Sequence, residues 1–302
     1  MPIPIPGLPE AAHHLMHMPL YQAGILGVLQ GLAEFAPISS SAHLVLVPWL
    51  FGPVLKNSGW IEDPGQAFDA ALHIGTAIAL IGYFWADWKR ILSAWFDNLA
   101  HRNTWADPDV RMAWLIIIAS IPGAIFGMVF EKPLDTLFDV DHHPWAPAAI
   151  AGLLAVAGLL LWASDRRGKK SRHLSNITRG NALLIGCSQV LALFPGVSRS
   201  GATITAGLAL GLTRQAAARF SFLMAAPITL GAGLLKVASM RHATEPHPQA
   251  SALILGVALS AVVGWAVIHW LLGYLQKQTM NLFVVYRVIF AALVFVVWIT
   301  RH

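Results

Sequence analysis

Two short polar stretches in an apolar chain hold the residue types that could do chemistry. The first runs Gln30-Gly31-Leu32-Ala33-Glu34-Phe35-Ala36-Pro37-Ile38-Ser39-Ser40-Ser41-Ala42-His43. Gln30 and Glu34 are four apart, so a helix puts them on one face. Glu34 is the only acid between Glu10 and Glu62. A carboxylate in hydrocarbon is costly unless it is paired or holds a cation. Glu34 is therefore read either as a functional acid or as the structural partner of an intramembrane Arg. Ser40 and His43 follow a Pro break three residues apart. A helix starting near Ser39 lets both face one cavity, with free backbone N–H groups available to an anion. The alternative for His43 is a hydrogen-bonded core histidine.

The second stretch is Pro195-Gly196-Val197-Ser198-Arg199-Ser200-Gly201-Ala202-Thr203. Gly196 and Gly201 let backbone approach a ligand closely. Ser198, Ser200 and Thr203 bring hydroxyls. Arg199 brings a permanent planar charge suited to phosphate. An oxyanion site explains this composition better than packing; an Arg199–Glu34 ion pair is the competing account.

These stretches must be held by membrane elements. The chain has 302 residues, 56% hydrophobic and only 12% charged, where a soluble domain carries roughly 25% charged residues. Six runs, near 68–86, 112–130, 147–164, 220–237, 251–272 and 282–300, are long enough to cross about 30 Å as helices. Regions 20–50 and 181–212 are each interrupted by one polar stretch. Broken backbone at membrane depth is tolerated only inside protein or along a wet cavity, so each region is expected to be a re-entrant helix pair. The fold class that follows is an all-α integral membrane protein, one domain over residues 1–302. A shift of 159 residues lays Gln30 on Gln189, Phe35 on Phe194, and Ser39 and Ser41 on Ser198 and Ser200. Repeat 1 spans about 20–164 and repeat 2 about 181–300, with a basic loop at 165–180 between them. The odd number of crossings inverts the second copy, an arrangement that places sites at the membrane midplane.

Most Lys and Arg fall in 87–111, 165–180, 213–219 and 273–281, including Arg166, Arg167, Lys169, Lys170, Arg172 and Arg179. That bias puts those loops in the cytoplasm and both termini outside. The net charge of +5 thus reports orientation, and no nucleic-acid partner is expected. Met1 to Pro19 lacks Lys, Arg and a long apolar core, so no cleavable signal is read there. The single Cys187 is read as a small packing residue. His13, His14 and His17, and Asp141-His142-His143, lack a closed set of zinc ligands. Trp85, Trp88, Trp95 and Trp105 read as interface anchors. Arg287 is expected to snorkel or to pair with an acid, with a role in the site as the lesser alternative.

The two stretches resemble the paired signatures of the bacterial undecaprenyl-diphosphatase (bacitracin-resistance) membrane family. Its first motif is Glu or Gln, three residues, Glu, then Ser-Ser-x-x-His; here these are Gln30, Glu34, Ser39, Ser40 and His43. Its second, Pro-Gly-x-Ser-Arg-Ser-Gly-x-Thr, is met in full by Pro195, Gly196, Ser198, Arg199, Ser200, Gly201 and Thr203. The resemblance implies hydrolysis of undecaprenyl diphosphate to undecaprenyl phosphate and inorganic phosphate. That reaction recycles the lipid carrier of cell-wall synthesis and confers bacitracin resistance. It implies a divalent cation, Mg²⁺ or Ca²⁺, held by Glu34 with Gln30. Arg199 would grip the diphosphate, Ser40 would attack or bind phosphate, and His43 would assist as base or acid. Gln30, Ser39, Gly196, Ser198, Ser200, Gly201 and Thr203 would line the substrate. Gln30 departs from the Glu common at its position, which weakens two-carboxylate chelation. The bacterial inner membrane, a periplasmic opening, surrounding lipids and an allowed homodimer complete the expectation. The competing function is a transporter of polyprenyl monophosphate, because inverted broken-helix repeats also build carriers.

Overall fold

The computed structural model describes residues 18–55, 60, 65–101, 107–240 and 248–301. The histidines near the N-terminus and Trp105 lie outside these residues. Eleven α-helices follow in the described residues: α1 Leu20–Phe35, α2 Ser40–Leu55, α3 Gln66–Tyr83, α4 Trp85–His101, α5 Pro108–Leu137, α6 Ala146–Arg167, α7 Arg179–Leu191, α8 Arg199–Ala209, α9 Arg214–Met240, α10 Ala250–Lys277 and α11 Asn281–Arg301. This is an all-α integral membrane protein with several spans. Five helices, α5, α6, α9, α10 and α11, are long and apolar enough to cross a membrane, and the bent pair α3–α4 makes a sixth. Their outward faces are apolar: Met128, Ile254, Val262 and Ile289 are all exposed. Only lipid tails satisfy such a belt.

Local signals set the ends. The Asp107 carboxylate caps α5 by accepting from Asp109 N at 2.8 Å, and Pro108 opens the helix, where a missing N–H costs nothing. Thr178 caps α7, and its hydroxyl accepts from Asn181 N. By contrast α1, α2, α7 and α8 have 16, 16, 13 and 11 residues. At 1.5 Å per residue none exceeds about 24 Å, too short to cross alone. Each is one arm of an interrupted pair, and the arms pack on each other.

The packing follows the repeat. α1 lies along α10 from the other half, and α7 lies along α5. The glycines that permit these approaches are Gly27 and Gly186, 159 apart. A Cβ on Gly27 would sit 2.9 Å from Gly256 O, and one on Gly186 would come closer still to Ala119 O. Each half thus inserts its short pair into the other. Cys187, expected to pack, is exposed; its neighbour Gly186 takes the buried place.

One helix lies where a loop was expected. α4 leaves α3 at a bend of 77°. Trp85, Leu92, Phe96 and Leu99 form one exposed stripe, while Ile91 is buried and Trp88 and Trp95 pack inward. Trp85 is exposed, as an interface anchor would be, whereas Trp88 and Trp95 are partly buried and pack against the core. Polar residues interrupt the apolar periodicity of this segment, which hides it from a search for spans.

Candidate active site at the two helix breaks

The breaks between α1 and α2 and between α7 and α8 are built alike. Ser39 and Ser198, equivalent under the repeat, both have left-handed backbone, φ 76° and 72°. A non-glycine residue there is strained. Each repays the strain as a helix cap: Ala42 N donates to Ser39 Oγ at 3.4 Å, and Gly201 N to Ser198 Oγ at 3.1 Å. The hydroxyl pairs repeat too, Ser39–Ser41 at 3.2 Å and Ser198–Ser200 at 3.1 Å. The residue after each strained serine opens the next helix. It is Ser40 in the first copy and Arg199 in the second.

Both of these residues reach Glu34. The Ser40 hydroxyl donates to Glu34 Oε2 at 2.7 Å, and the Arg199 guanidinium donates to Oε1 in a close ion pair. Gln30 Nε2 donates to Oε2 at 3.1 Å from one turn earlier. The Glu34 side chain is 6% exposed and that of Arg199 is 24% exposed, so the carboxylate is buried while the guanidinium keeps some exposed surface. Both readings of Glu34 meet here: it is Arg199's partner, and it touches the hydroxyl best placed to react. In the second copy Leu193 stands where Glu34 stands in the first. The two halves form one acid site, not two.

His43 is placed differently from expectation. Its Nδ1–H donates to Ser39 O at 2.7 Å, which leaves Nε2 to accept from the Tyr286 hydroxyl at 2.6 Å. The partner of each nitrogen fixes the tautomer. The ring stacks on Phe290 at 4.5 Å. No hydrogen bond joins His43 to Ser40 among the described residues; the acceptor of the Ser40 proton is Glu34. His43 fastens the carbonyl of strained Ser39.

Most hydroxyls of the second stretch serve the frame. Ser198 caps α8, and Ser200 donates to Ala36 O at 3.3 Å across the two breaks. Thr203 donates to Arg199 O at 2.8 Å and meets Ser221 at 2.7 Å. Gly196 has φ 101°, and an added Cβ would strike Ile150 O at 2.6 Å.

Two residues were not found from the sequence. His73 on α3 gives Nδ1–H to Asp69 O at 2.8 Å and points Nε2 at Glu34 Oε2, 4.0 Å away. Tyr286 holds His43. The signal for His73 was slight: one histidine in an apolar helix, like His269 in α10. No cluster of three or more His, Cys, Asp and Glu that could hold a metal occurs among the described residues. His142 pairs with Asp139 at 2.7 Å.

The family model described as bacitracin resistance protein BacA matches residues 23–293. The chain belongs to this family. Curated relatives match over nearly their whole length. An undecaprenyl-diphosphatase of Moorella thermoacetica is 46% identical over 285 residues, covering 94% of this chain and 100% of the relative. One from Trichlorobacter lovleyi is 46% identical over 276 residues, covering 90% and 94%. One from Pseudarthrobacter chlorophenolicus is 42% identical over 273 residues, covering 89% and 93%. The matched span of the BacA model contains both helix breaks and every residue that reaches Glu34.

Proposed function

We propose that the chain is a membrane-embedded hydrolase that cleaves undecaprenyl diphosphate to undecaprenyl phosphate and inorganic phosphate. The observation that carries this is the convergence of Ser40 and Arg199, one from each repeat, on the single carboxylate of Glu34. A hydroxyl, a base in contact with it and a phosphate-binding cation at two helix starts are the parts such a reaction needs.

In this reading the diphosphate draws Arg199 from Glu34 onto its terminal oxygens. The Ser40 Oγ attacks the terminal phosphorus while Glu34 Oε2 takes its proton. The bond to the bridging oxygen breaks, and undecaprenyl phosphate leaves with the charge. Glu34 passes that proton to the departing undecaprenyl phosphate, then takes a proton from the water that attacks the phosphoserine and returns it to Ser40 Oγ as the phosphorus–oxygen bond breaks and phosphate departs. The starts of α2 and α8 direct free N–H groups and positive dipole ends toward the developing charge.

The cation has a partial protein cage. Gln30 Oε1 is buried without a hydrogen-bond partner one turn from Glu34, so a divalent ion would be held by Gln30 Oε1 and the Glu34 carboxylate once Gln30 Nε2 and Arg199 give way. The remaining ligands would be water and diphosphate oxygens, the habit of Mg²⁺ more than of Ca²⁺. Such an ion would neutralise phosphate charge.

With the other hydroxyls spent on the frame, Ser40 and Arg199 are the side chains that would turn from Glu34 to meet substrate. The inner membrane is the proposed location, with both termini and the opening on the periplasmic side. Phosphate release by purified protein from undecaprenyl diphosphate, with and without EDTA, tests the function. Steady, EDTA-sensitive release is expected. Lipid binding with no release would favour a carrier instead.

A further inference from the structure

The site described above leaves one buried cation without a task. Arg287 on α11 is completely buried, and no acid pairs with it among the described residues. It neither snorkels nor forms an ion pair with an acid among the described residues, which leaves the lesser alternative, a role at the site. Its guanidinium is spent on four carbonyls. Nε donates to Leu154 O at 2.9 Å, Nη1 to Pro37 O at 3.1 Å, and Nη2 to Gly196 O at 2.8 Å and Val197 O at 3.1 Å. Pro37 and Gly196 are 159 residues apart. They are the same position in the two repeats, and helix breakage has freed both carbonyls. One planar fork therefore grips equivalent atoms of both breaks, a geometry that an ammonium lacks.

The surroundings are cut to fit that side chain. A Cβ on Gly201 would lie 2.9 Å from Arg287 Nη1, and one on Gly158 would lie 3.3 Å from Arg287 Cβ. Gly201 sits inside the second motif, where a ligand-facing role was expected; it makes room for the guanidinium. Three of the four carbonyls that Arg287 holds lie two or three residues before a residue that reaches Glu34: Pro37 before Ser40, and Gly196 and Val197 before Arg199.

We propose that Arg287 is a positioning residue that fixes the two helix breaks against each other, so that Ser40 and Arg199 meet at Glu34. It touches no reacting atom. The catalytic part of this inference rests on the hydrolase reading; the mechanical part does not.

Two readouts separate them. Arg287→Lys keeps the charge and loses the fork. Hydrogen exchange in the detergent-purified chain should accelerate by about tenfold or more in segments 36–43 and 196–203 together, with α5 and α10 unchanged. Turnover should fall by about 30-fold or more, because misplaced groups react slowly. KM should stay within about threefold, since Arg199 still meets the diphosphate. Unchanged exchange in either break, or turnover above about a third of wild type, overturns the proposal. A wild type that releases no phosphate sinks the hydrolase reading, and the exchange result still judges the clamp. Should the Lys variant lose protection everywhere, Gly158→Ala decides. The three atoms nearest its Cβ all belong to Arg287, at 3.3–3.4 Å, and faster exchange in both breaks is expected. Wild-type exchange and wild-type turnover in that variant overturn the proposal.

Discussion

Glu34 carries opposed demands. It neutralises Arg199, accepts from Ser40 and Gln30, and lies within reach of His73. Glu34→Gln keeps the volume and removes the charge. Arg199 then loses its partner, and the Ser40 proton has no strong acceptor. Turnover should drop by about 100-fold or more while the protein stays monodisperse; a rate above a tenth of wild type would remove Glu34 from the mechanism. Ser40→Ala should be equally inactive, and radiolabelled substrate should leave no phosphate on the protein. Label retained on that variant would rule out Ser40 as nucleophile. Gln30→Glu should lower the Mg²⁺ concentration needed for half-maximal rate by about threefold to tenfold, because a second carboxylate joins the cage. A higher requirement would take Gln30 away from the cation. The shared face of Gln30 and Glu34 was legible in the sequence because helical spacing is local. So was the need for a partner to a lone membrane acid. The Tyr286–His43 bond was not, since it joins residues 243 apart in the chain and leaves no periodic trace. The Ser40–His43 pairing failed for a related reason: three-residue spacing puts two side chains on one side of a helix but does not say what else will compete for them.

At the level of elements, the short pairs depend on close backbone approach. The glycine at the α7–α5 crossing is the tighter of the two equivalents, because the carbonyl of Ala119 lies nearer to Gly186 than that of Gly256 does to Gly27. Backbone cannot yield as a flexible side chain can. Gly186→Ala should therefore lower the melting temperature more than Gly27→Ala, each by several degrees, from a cost of about 1–3 kcal/mol for overpacking. Equal, negligible shifts in a detergent melting assay would show that the halves do not interlock through these contacts. The repeat itself was readable from matched residues, as were five of the spans. The bend into α4 was not: its ion pairs, Asp87 with Arg219 at 2.7 Å and Arg90 with Asp109 at 2.8 Å, lie on a helix too polar to register as a span and too ordered to be a loop.

The whole molecule brings the two helix breaks together at one acid, and the loop charges predict the side on which that site opens. In a Cys187→Ser background, Ser41→Cys should react with a membrane-impermeant thiol reagent in intact cells with a permeable outer membrane. Labelling only in inverted vesicles would reverse the topology. The mutual insertion of the halves bears also on how the chain is made. A ribosome delivers α1 long before α10, its packing partner, and delivers Glu34 165 residues ahead of Arg199. Throughout that interval the nascent first half holds an uncompensated carboxylate and an unclasped helix break in the bilayer. The early product must then wait, loosely folded and shielded by lipid or an insertion factor, and close around its acid only when the last helices arrive.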